Sequence, residues 1–219
     1  LQGLRRAGAA AGGLKVADEA VAQALADGAA HLGVALDAPQ QAMLLDYQRL
    51  IGRWTRTYNL TAVREPAQML VQHLLDSLAV VGPLRRHSGG APRALLDVGS
   101  GAGLPGVVLA IACPELEVTC VDTVAKKAGF MRQAGAELGL RNLTAVHARV
   151  EALKARPWDL IVSRAFASLA DFVGLTGPLL AADGVWIAMK GRRPDDEIVA
   201  LPPGVEAFHV EPLQVPGLE

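Results

Sequence analysis

Apolar residues in the first 90 positions recur at intervals of three and four, which is the period of an amphipathic α-helix. One run lies within 41–51 and a second within 69–81. Their apolar positions are Met43, Leu44, Tyr47, Leu50 and Ile51 in the first run, and Met69, Leu70, Leu74, Leu75, Leu78 and Val81 in the second. Asp37 is suited to cap the first helix, and Gly82 with Pro83 to end the second. We therefore expect an N-terminal helical region over residues 1–90.

Beyond residue 90 the pattern changes to short β-rich runs that alternate with helical stretches. The composition of 88–92, Ser-Gly-Gly-Ala-Pro, is typical of a linker and sets the boundary. The predicted strands are Ala94–Val98, Glu117–Val121, Leu143–His147, Leu160–Ser163 and Val185–Met189, and the predicted helices are Gly106–Ala112, Ala125–Leu138 and Leu169–Leu180, with a short turn at 150–154.

Strands that alternate with helices favour a parallel sheet with right-handed crossovers. The fold class is therefore predicted to be α/β, with a doubly wound, Rossmann-like, mostly parallel sheet over residues 91–219. Residues 204–215 are predicted to add a late extended pair or hairpin at a sheet edge.

The 219 residues are 51% hydrophobic and 20% charged, a composition that excludes global disorder. The best candidate for a membrane span, Val98–Pro114, contains four glycines and two prolines, so we expect none. Cys113 and Cys120 belong to no CxxC or Cys/His cluster, which predicts core packing for both and no metal site. Positions 1–14 lack the continuous apolar segment of a secretory signal, and we interpret them as a flexible, cytosolic N-terminus.

The net charge of −1 hides an uneven distribution along the chain. Residues 126–193 contain eleven Lys and Arg but five acidic residues, so this basic segment carries +6 and the remainder −7. Such asymmetry indicates an anionic partner on one side of the fold. The alternative is charge scattered over a solvated surface.

The most informative stretch is Leu95–Gly106, LLDVGSGAGLPG, an apolar strand that leads into a glycine-rich turn and a helix. Glycines allow positive φ and a close approach of a ligand to the backbone, while a helix N-terminus offers free N–H groups. Gly99 and Gly101 are therefore candidate cofactor-binding residues. Asp122 ends the second strand about 20 residues further on, where a carboxylate can accept both hydroxyls of a ribose. The alternative is a turn that only packs a helix, with Asp122 as a helix cap.

Two cofactors compete for this arrangement. A nicotinamide dinucleotide needs its pyrophosphate on the helix N-terminus. Asp97 stands directly before the turn and would place a carboxylate beneath the cofactor, which suits the cationic amino acid part of S-adenosyl-L-methionine better than a pyrophosphate. We therefore expect S-adenosyl-L-methionine.

The stretch LLDVGSGAG at 95–103 resembles motif I of class I S-adenosylmethionine-dependent methyltransferases. Six further motifs occur in order: YNLTAVR at 58–64, HLLDSL at 73–78, GLPG at 103–106, RVE at 149–151, SRAFA at 163–167 and MKG at 189–191. Together, over about residues 40–215, they resemble the family of ribosomal RNA small subunit methyltransferase G, also called glucose-inhibited division protein B.

The resemblance implies a bacterial, cytosolic enzyme that methylates N7 of one guanine in the 530 loop of 16S rRNA. Its partner would be 16S rRNA or the small ribosomal subunit, and we expect a monomer without membrane association. In this family the cofactor contacts match Gly99, Leu104, Asp122, Val150, Glu151 and Arg164.

Guanine N7 has a lone pair that is unprotonated at neutral pH, so its attack on a sulfonium methyl needs no general base. Catalysis is then alignment and proximity, and we assign no catalytic side chain. The stretch Ser163–Phe166 agrees with this interpretation, because it lacks both the Asn/Asp-Pro-Pro-aromatic turn of enzymes that methylate exocyclic amines and a cysteine nucleophile.

The candidate substrate-binding residues are Lys190, Arg192 and His73. Lys190 follows the fifth strand and, together with Arg192 and Arg193, is placed to contact rRNA phosphates; a solvated surface is the alternative. His73 shares a predicted helix face with Asp76 and would border the substrate pocket, or would serve as a structural histidine.

Two further residues keep alternative roles. Arg164 ends a central strand, where it would hold the cofactor carboxylate or an RNA phosphate, or form a structural salt bridge. Phe166 would stack on the target base or pack in the core. At this stage three other functions stay open: a methyltransferase with another substrate, a nicotinamide oxidoreductase, and a non-catalytic RNA-binding module.

Overall fold

A computed structural model describes residues 9–87, 93–154, 157–164 and 166–218, with side chains from residue 19 onward. Five strands form one parallel sheet in the order β3-β2-β1-β4-β5. They are β1 (Ala94–Val98), β2 (Glu117–Asp122), β3 (Leu143–His147), β4 (Trp158–Ser163) and β5 (Leu180–Ala188). The order reverses between β1 and β4, which confirms the predicted doubly wound α/β fold and places a ligand crevice at the carboxyl ends of these strands.

Helices before the sheet, between its strands and after β5 complete the described fold. They are α1 (Ala9–His31), α2 (Ala38–Tyr58), α3 (Pro66–Met69), α4 (Asp76–Leu78), α5 (Val81–His87), α6 (Gly106–Ala112), α7 (Ala125–Glu137), α8 (Leu169–Thr176) and α9 (Asp195–Val199). A π-helical segment covers Leu70–Leu75, and short 3₁₀ turns cover Val150–Ala152 and Gly177–Leu179. Among the described helices, none is both long enough and apolar enough to cross a membrane.

Helix α2 begins with a capping box. The side chain of Asp37 accepts a hydrogen bond from the Gln40 backbone N–H at 2.7 Å, and Gln40 Oε1 accepts one from the Asp37 N–H at 2.9 Å. Gln40 also donates to the Ile111 carbonyl at 2.9 Å, which joins the start of α2 to α6. The helix ends at Tyr58 and is capped by Asn59, whose left-handed φ of 50° closes the last turn.

The two faces of the sheet bury different sets of residues. Alternate residues of a strand point to opposite faces of the sheet. Leu95 packs in a core to which α1, α2, α6 and α7 also contribute side chains. Leu96 packs with Ile161 and Phe172 on the other face. The N-terminal helices therefore share one hydrophobic core with the sheet. The predicted boundary at 88–92 lies outside the described residues, so the division into two regions stays a prediction.

The sheet matches the sequence prediction at β1 and β3, while β2 and β4 are slightly longer than predicted and β5 begins at Leu180 rather than Val185. The predicted hairpin over 204–215 is wrong, because the described part of the chain after β5 contains no strand. Its apolar side chains Phe208, Val210 and Leu213 are 58%, 38% and 39% exposed, so a burial pattern that would hold a strand against the sheet is missing.

Two predictions about the N-terminal region also need correction. Residues 9–14, expected to be a flexible terminus, lie within α1, while residues 1–8 lie outside the described part. The single helix predicted over 69–81 is interrupted, because its first half is π-helical and residues 79–80 form a turn. The Asp76 N–H is directed to the carbonyls of both His73 and Val71, and the second of these is the i→i+5 bond of a π-turn.

Candidate functional site

The glycine turn at 99–105 lies at the carboxyl end of β1 and is joined to β2 by its backbone. The N–H groups of Gly99 and Ser100 both donate to the Val121 carbonyl, at 2.9 and 3.2 Å. Gly99, Gly101 and Gly103 have φ values of 69°, 60° and 84°, which is the left-handed region that favours glycine. The predicted turn is therefore present, and its conformation explains the glycines.

The glycines of this turn face different surroundings. A Cβ on Gly103 would lie 2.5 Å from Val107 Cγ2, and one on Gly106 would lie 2.4 Å from Cys120 Sγ. Gly106 is therefore needed for close packing of α6 on the sheet, and Gly103 for close packing of the turn against α2, α6 and α7. A Cβ on Gly101 would meet no heavy atom nearer than 3.9 Å, so the turn is open on that side. The open side is where a ligand can approach the backbone.

Asp122 connects β2 to the glycine turn. Its Oδ2 accepts a hydrogen bond from the Gly101 N–H at 2.9 Å, and its Oδ1 accepts one from the Val124 N–H at 2.8 Å. The residue is only 6% exposed. Each carboxylate oxygen keeps further lone pairs, so Asp122 can hold the turn and still accept ribose hydroxyls.

Asp97 lies underneath the turn and is fully buried, with 0% exposure. Its Oδ2 accepts from the Gly106 N–H at 2.9 Å, while Oδ1 has no hydrogen-bond partner among the described residues. Burial raises the pKa of Asp97 to about 7, against the lowering effect of the Gly106 hydrogen bond. The sequence interpretation placed this carboxylate beneath the cofactor. In the structure it has no exposed surface, and its hydrogen bond to Gly106 anchors the first turn of α6.

Tyr47 is a supporting residue that the sequence interpretation missed. Its hydroxyl donates to the Ala102 carbonyl, so α2 braces the glycine turn from the N-terminal region. The ring is fully buried and stacks on Phe130, and burial raises the pKa of Tyr47 well above its usual value. The sequence pattern showed Tyr47 only as an apolar position of α2, and its polar tip was the available signal.

The other predicted cofactor contacts surround the same edge of the sheet. Leu104 is buried in the glycine turn, where its N–H donates to the Ser100 carbonyl at 2.9 Å. Val150 and Glu151 follow β3 in a 3₁₀ turn, in which Val150 is buried and Glu151 is exposed. The topology thus brings residues from three strand ends to one edge, and their contact with a cofactor stays a prediction.

Arg164, at the end of β4, is held by the segment that follows α3. Its Nη1 donates to Asp76 Oδ2 at 2.7 Å and to the Gln72 carbonyl at 3.1 Å. The salt bridge considered from the sequence is therefore present. It joins the strand end to the N-terminal helices across 88 positions of the chain.

His73 lies within the π-helical segment and is 6% exposed. Its Nε2 pairs with Thr61 Oγ1 at 3.0 Å, and burial lowers the pKa of His73, which favours the neutral imidazole. In this structure the ring is a buried group that ties the 59–65 loop to the π-helical segment. Its role in substrate binding stays a prediction.

Lys190 and Arg192 follow β5. The Lys190 ammonium donates to the Phe166 and Ala167 carbonyls, each at 3.3 Å, and forms an ion pair of 2.8 Å with Glu197 of α9. Arg192 is exposed. Phe166 packs against Phe172 with ring centroids 5.1 Å apart, in agreement with the core alternative. The pairing of Lys190 by Glu197 was not visible from local sequence.

This edge of the sheet combines an open, backbone-lined turn with a nearby carboxylate that can accept hydroxyl donors. Gly101 leaves room against the backbone, and Asp122 is held by two N–H groups at the adjoining strand end. Such a cradle fits an adenosyl group, whose ribose supplies two neighbouring hydroxyls. The cations of Arg164 and Lys190, at the ends of β4 and β5, lie along the same edge of the sheet.

Comparison with known proteins agrees with this arrangement. The profile of the family described as rRNA small subunit methyltransferase G matches residues 40–219. A ribosomal RNA small subunit methyltransferase G of Methylibium petroleiphilum is 64% identical over 201 residues, which cover 92% of this chain and 91% of that protein. A protein of the same name from Acidovorax ebreus is 56% identical over 212 residues, which cover 93% of each chain.

Among solved structures, TrmN from Thermus thermophilus matches with a TM-score of 0.48 and 22% identity, over 62% of this chain and 46% of that one. An S-adenosylmethionine-dependent methyltransferase from Thiobacillus denitrificans, in complex with S-adenosyl-L-homocysteine, matches with a TM-score of 0.43 and 18% identity, over 52% of this chain and 47% of that one.

Proposed function

Because the chain belongs to the rRNA small subunit methyltransferase G family, we propose that it methylates N7 of one guanine in the 530 loop of 16S rRNA. It is an enzyme that depends on S-adenosyl-L-methionine. The observation that carries the proposal is the glycine turn of 99–105, open at Gly101 and bridged by the Asp122 carboxylate, at the reversal point of a parallel sheet.

The cofactor supplies an activated methyl group when it is bound. The residues of this chain that would hold it are the backbone of Gly99 to Leu104, with Asp122 as acceptor for the ribose hydroxyls. Gly106 lets α6 pack closely on the sheet, Gly103 lets α2 and α7 approach the turn, and Tyr47 braces the Ala102 carbonyl. We propose that Val150 and Glu151 border the adenine side.

The residues at the end of β4 support a reaction without a general base. Ser163 is 3% exposed and donates to the Val98 carbonyl at 2.8 Å, and Arg164 is paired with Asp76. Neither side chain is placed to remove a proton from an exocyclic amine, and guanine N7 carries none. The chain then contributes orientation and proximity, for which effective concentrations of about 10⁵ M or more are known in well-aligned reactions.

The decisive experiment is methyl transfer from labelled S-adenosyl-L-methionine to small subunits isolated from a strain that lacks the corresponding modification. Digestion and mass mapping of the product should place the label on a single guanine of the 530 loop, as 7-methylguanine. Naked 16S rRNA in a parallel reaction identifies which form is the substrate. Label on another nucleotide would show a different RNA methyltransferase, and binding without transfer would show a non-catalytic RNA-binding module.

We further propose that the enzyme acts as a monomer in the cytoplasm. The proposal follows from its substrate and from the family resemblance. Light scattering of the purified protein at two concentrations should give the mass of a single chain in both, whereas a doubled mass would contradict the monomer.

A further inference from the structure

Three aromatic rings form a row from the core to the surface where α2 meets α7. Phe130 of α7 is fully buried, and its ring lies edge-on to Trp54 of α2 with the ring centroids 5.3 Å apart. Trp54 is half-buried and contacts Tyr58, with the ring centroids 5.0 Å apart. Tyr58 is 47% exposed. The outermost ring of the row is therefore accessible to solvent and rests on a support that the core holds in place.

The sequence of α2 explains how Tyr58 is held. Trp54 and Tyr58 are four positions apart, so their side chains lie on the same face of the helix. The helix ends at Tyr58, and the Asn59 N–H donates to the Thr55 carbonyl at 3.0 Å, which fixes the last turn. The ring is thus positioned before any ligand arrives, and a ligand that stacks on it has little side-chain entropy to overcome.

Two lysines accompany this ring. The Lys126 ammonium lies over the Tyr58 ring, 5.6 Å from its centroid. Lys126 and Lys127 belong to the first turn of α7, which contains no acidic residue. Cations at this end of a helix do not stabilise it, because the helix dipole is positive there. Among the described residues neither lysine has an ion-pair partner, unlike the cations at the ends of β4 and β5. Both are therefore available to an anion.

The cluster of Trp54, Tyr58, Lys126 and Lys127 is continuous with the cofactor edge. Helix α7 follows β2, so its first turn lies at the carboxyl end of that strand. The link is short, because Asp122 Oδ1 accepts from the Val124 N–H at 2.8 Å just before the helix begins. In the sheet β2 and β4 lie on opposite sides of β1. The cluster is therefore on the side of the cofactor edge away from the end of β4.

We propose that one base of the RNA substrate stacks on Tyr58 and that the phosphate beside it binds Lys126 and Lys127. Unpaired bases stack on aromatic side chains, and lysines neutralise the phosphates that join them. Lys126 is exposed, so its ammonium can move from the ring to the phosphate when the base arrives. The base belongs to a nucleotide other than the methylated guanine, because the cluster lies beyond the ribose acceptor Asp122 and away from β4. The choice of RNA rests on the proposed function.

The test separates the ring from the charge. Tyr58→Leu removes the ring, Tyr58→Phe keeps it, and Lys126→Ala removes the cation without altering the ring. Phe208→Leu is the matched control, because Phe208 is a 58% exposed aromatic residue that contacts His87 of α5 instead. For each variant, methyl transfer to small subunits gives KM and kcat at saturating cofactor, and calorimetry gives the Kd for S-adenosylmethionine.

A second measurement does not depend on methyl transfer. Fluorescence anisotropy compares the binding of a short single-stranded oligoadenylate with that of an abasic strand of the same length, while S-adenosylhomocysteine saturates the cofactor site. The two strands share the phosphates and differ in the bases, so stacking and charge contribute separately to the measured affinities.

We expect Tyr58→Leu to raise the KM for subunits about tenfold, which is the loss of about one stacked base. Lys126→Ala should raise it about threefold, since one phosphate contact is lost. Tyr58→Phe and Phe208→Leu should resemble the wild type, and the cofactor Kd should stay the same in all four variants. The wild type should prefer oligoadenylate to the abasic strand. Tyr58→Leu should remove this preference, whereas Lys126→Ala should weaken the binding of both strands.

Three results of the kinetic test would overturn the proposal. They are an unchanged KM in Tyr58→Leu, a KM in Tyr58→Phe as high as in Tyr58→Leu, and a weaker cofactor Kd in Tyr58→Leu, which would show that the ring covers the cofactor instead. If the wild-type protein methylates no rRNA, the proposed function fails and the strand comparison alone decides the site. A preference for oligoadenylate that depends on Tyr58 then supports base stacking, and equal affinity of the wild type for both strands overturns it.

Discussion

The cofactor edge and the basic rim of this protein hold their charged groups in different ways. At the cofactor edge, the carboxyl groups of Asp97 and Asp122 accept hydrogen bonds from backbone N–H groups. At the rim formed by the ends of β4 and β5, the cations of Arg164 and Lys190 are paired with the side chains of Asp76 and Glu197. Both regions lie at the carboxyl ends of the same parallel strands.

The two regions differ in how easily their hydrogen bonds and ion pairs can be replaced by contacts to a ligand. Backbone groups in a packed turn cannot move away without distorting α6, so the cofactor edge is prepared before any ligand arrives. A side-chain ion pair can give up a carboxylate for a phosphate, because both present oxygens to the same N–H donors. We therefore expect substitutions at the turn to affect folding and cofactor affinity, and substitutions at the rim to affect RNA kinetics.

The largest effect is expected for Gly106→Val. Its Cβ would lie 2.4 Å from Cys120 Sγ and 2.7 Å from Asp97 Oδ2, in a fully buried contact of α6 with β1 and β2. We expect the free energy of unfolding to fall by about 4 kcal/mol or more, measured by urea denaturation. Gly129→Val, at a helical glycine with open space, is the control and should change this free energy by less than about 1 kcal/mol. Equal losses in both variants would contradict the packing role of Gly106.

Asp97→Asn should give the next largest effect, and it should depend on pH. The folded-state pKa of Asp97 is raised from 3.8 to about 7, so the folded protein binds this proton more tightly than the unfolded chain. Its contribution to stability is present at low pH and is lost as pH rises from about 4 to about 7. An amide cannot ionise. In this window the free energy of unfolding of the variant, relative to that of the wild type, should therefore rise by about 1 kcal/mol per pH unit.

Urea denaturation of wild type and Asp97→Asn at a series of pH values measures this difference. The comparison cancels the titration of all other groups. Parallel curves for the two proteins would show that Asp97 does not titrate in this window.

Asp122→Ala should weaken cofactor binding tenfold to a hundredfold, equal to about 1.4 to 2.7 kcal/mol. It removes the acceptor for the ribose hydroxyls and leaves the Gly101 and Val124 N–H groups without their present partner. Calorimetric titration with S-adenosyl-L-methionine measures the change. Lys190→Ala is the control and should bind the cofactor like the wild type, and an equal loss in both would contradict the division between the two regions.

The smallest effect is expected at the rim. Lys190→Ala should raise the KM for small subunits a few-fold without changing cofactor affinity, because one phosphate contact is lost. Glu197→Gln removes the competing carboxylate and should keep or lower this KM. If Lys190 serves instead to hold the 166–167 carbonyls and α9, both variants will lower the melting temperature together and leave KM unchanged.

The fold was largely predictable because it depends on short-range patterns. Alternation of strands and helices, together with the glycines before α6, predicts the parallel sheet and its cofactor edge, and β1 and β3 have their predicted bounds. The failures have a common cause. The hairpin at 204–215 and the single helix over 69–81 were inferred from local pattern, whereas tertiary contacts decide whether a strand finds a partner and where a helix widens into a π-turn.

The candidate site divides in the same way. The sequence by itself determined the glycine turn, the acidic residue at the end of β2 and the family, since steric freedom at glycine and the spacing of motifs are local properties. It also showed that residues 126–193 are basic, but not which of their cations are already paired with acidic side chains of this chain. Arg164, Lys190 and Arg193 of that segment are paired with acids that lie outside it, namely Asp76, Glu197 and Asp195.

Only the tertiary structure decided the pairing of Arg164 with Asp76 and the support of the glycine turn by Tyr47. These two contacts join elements that are distant in sequence, with 88 positions between Asp76 and Arg164 and 55 between Tyr47 and Ala102. Electrostatic pairing and buried hydrogen bonds depend on distances of a few ångströms in space, and chain folding alone sets these distances.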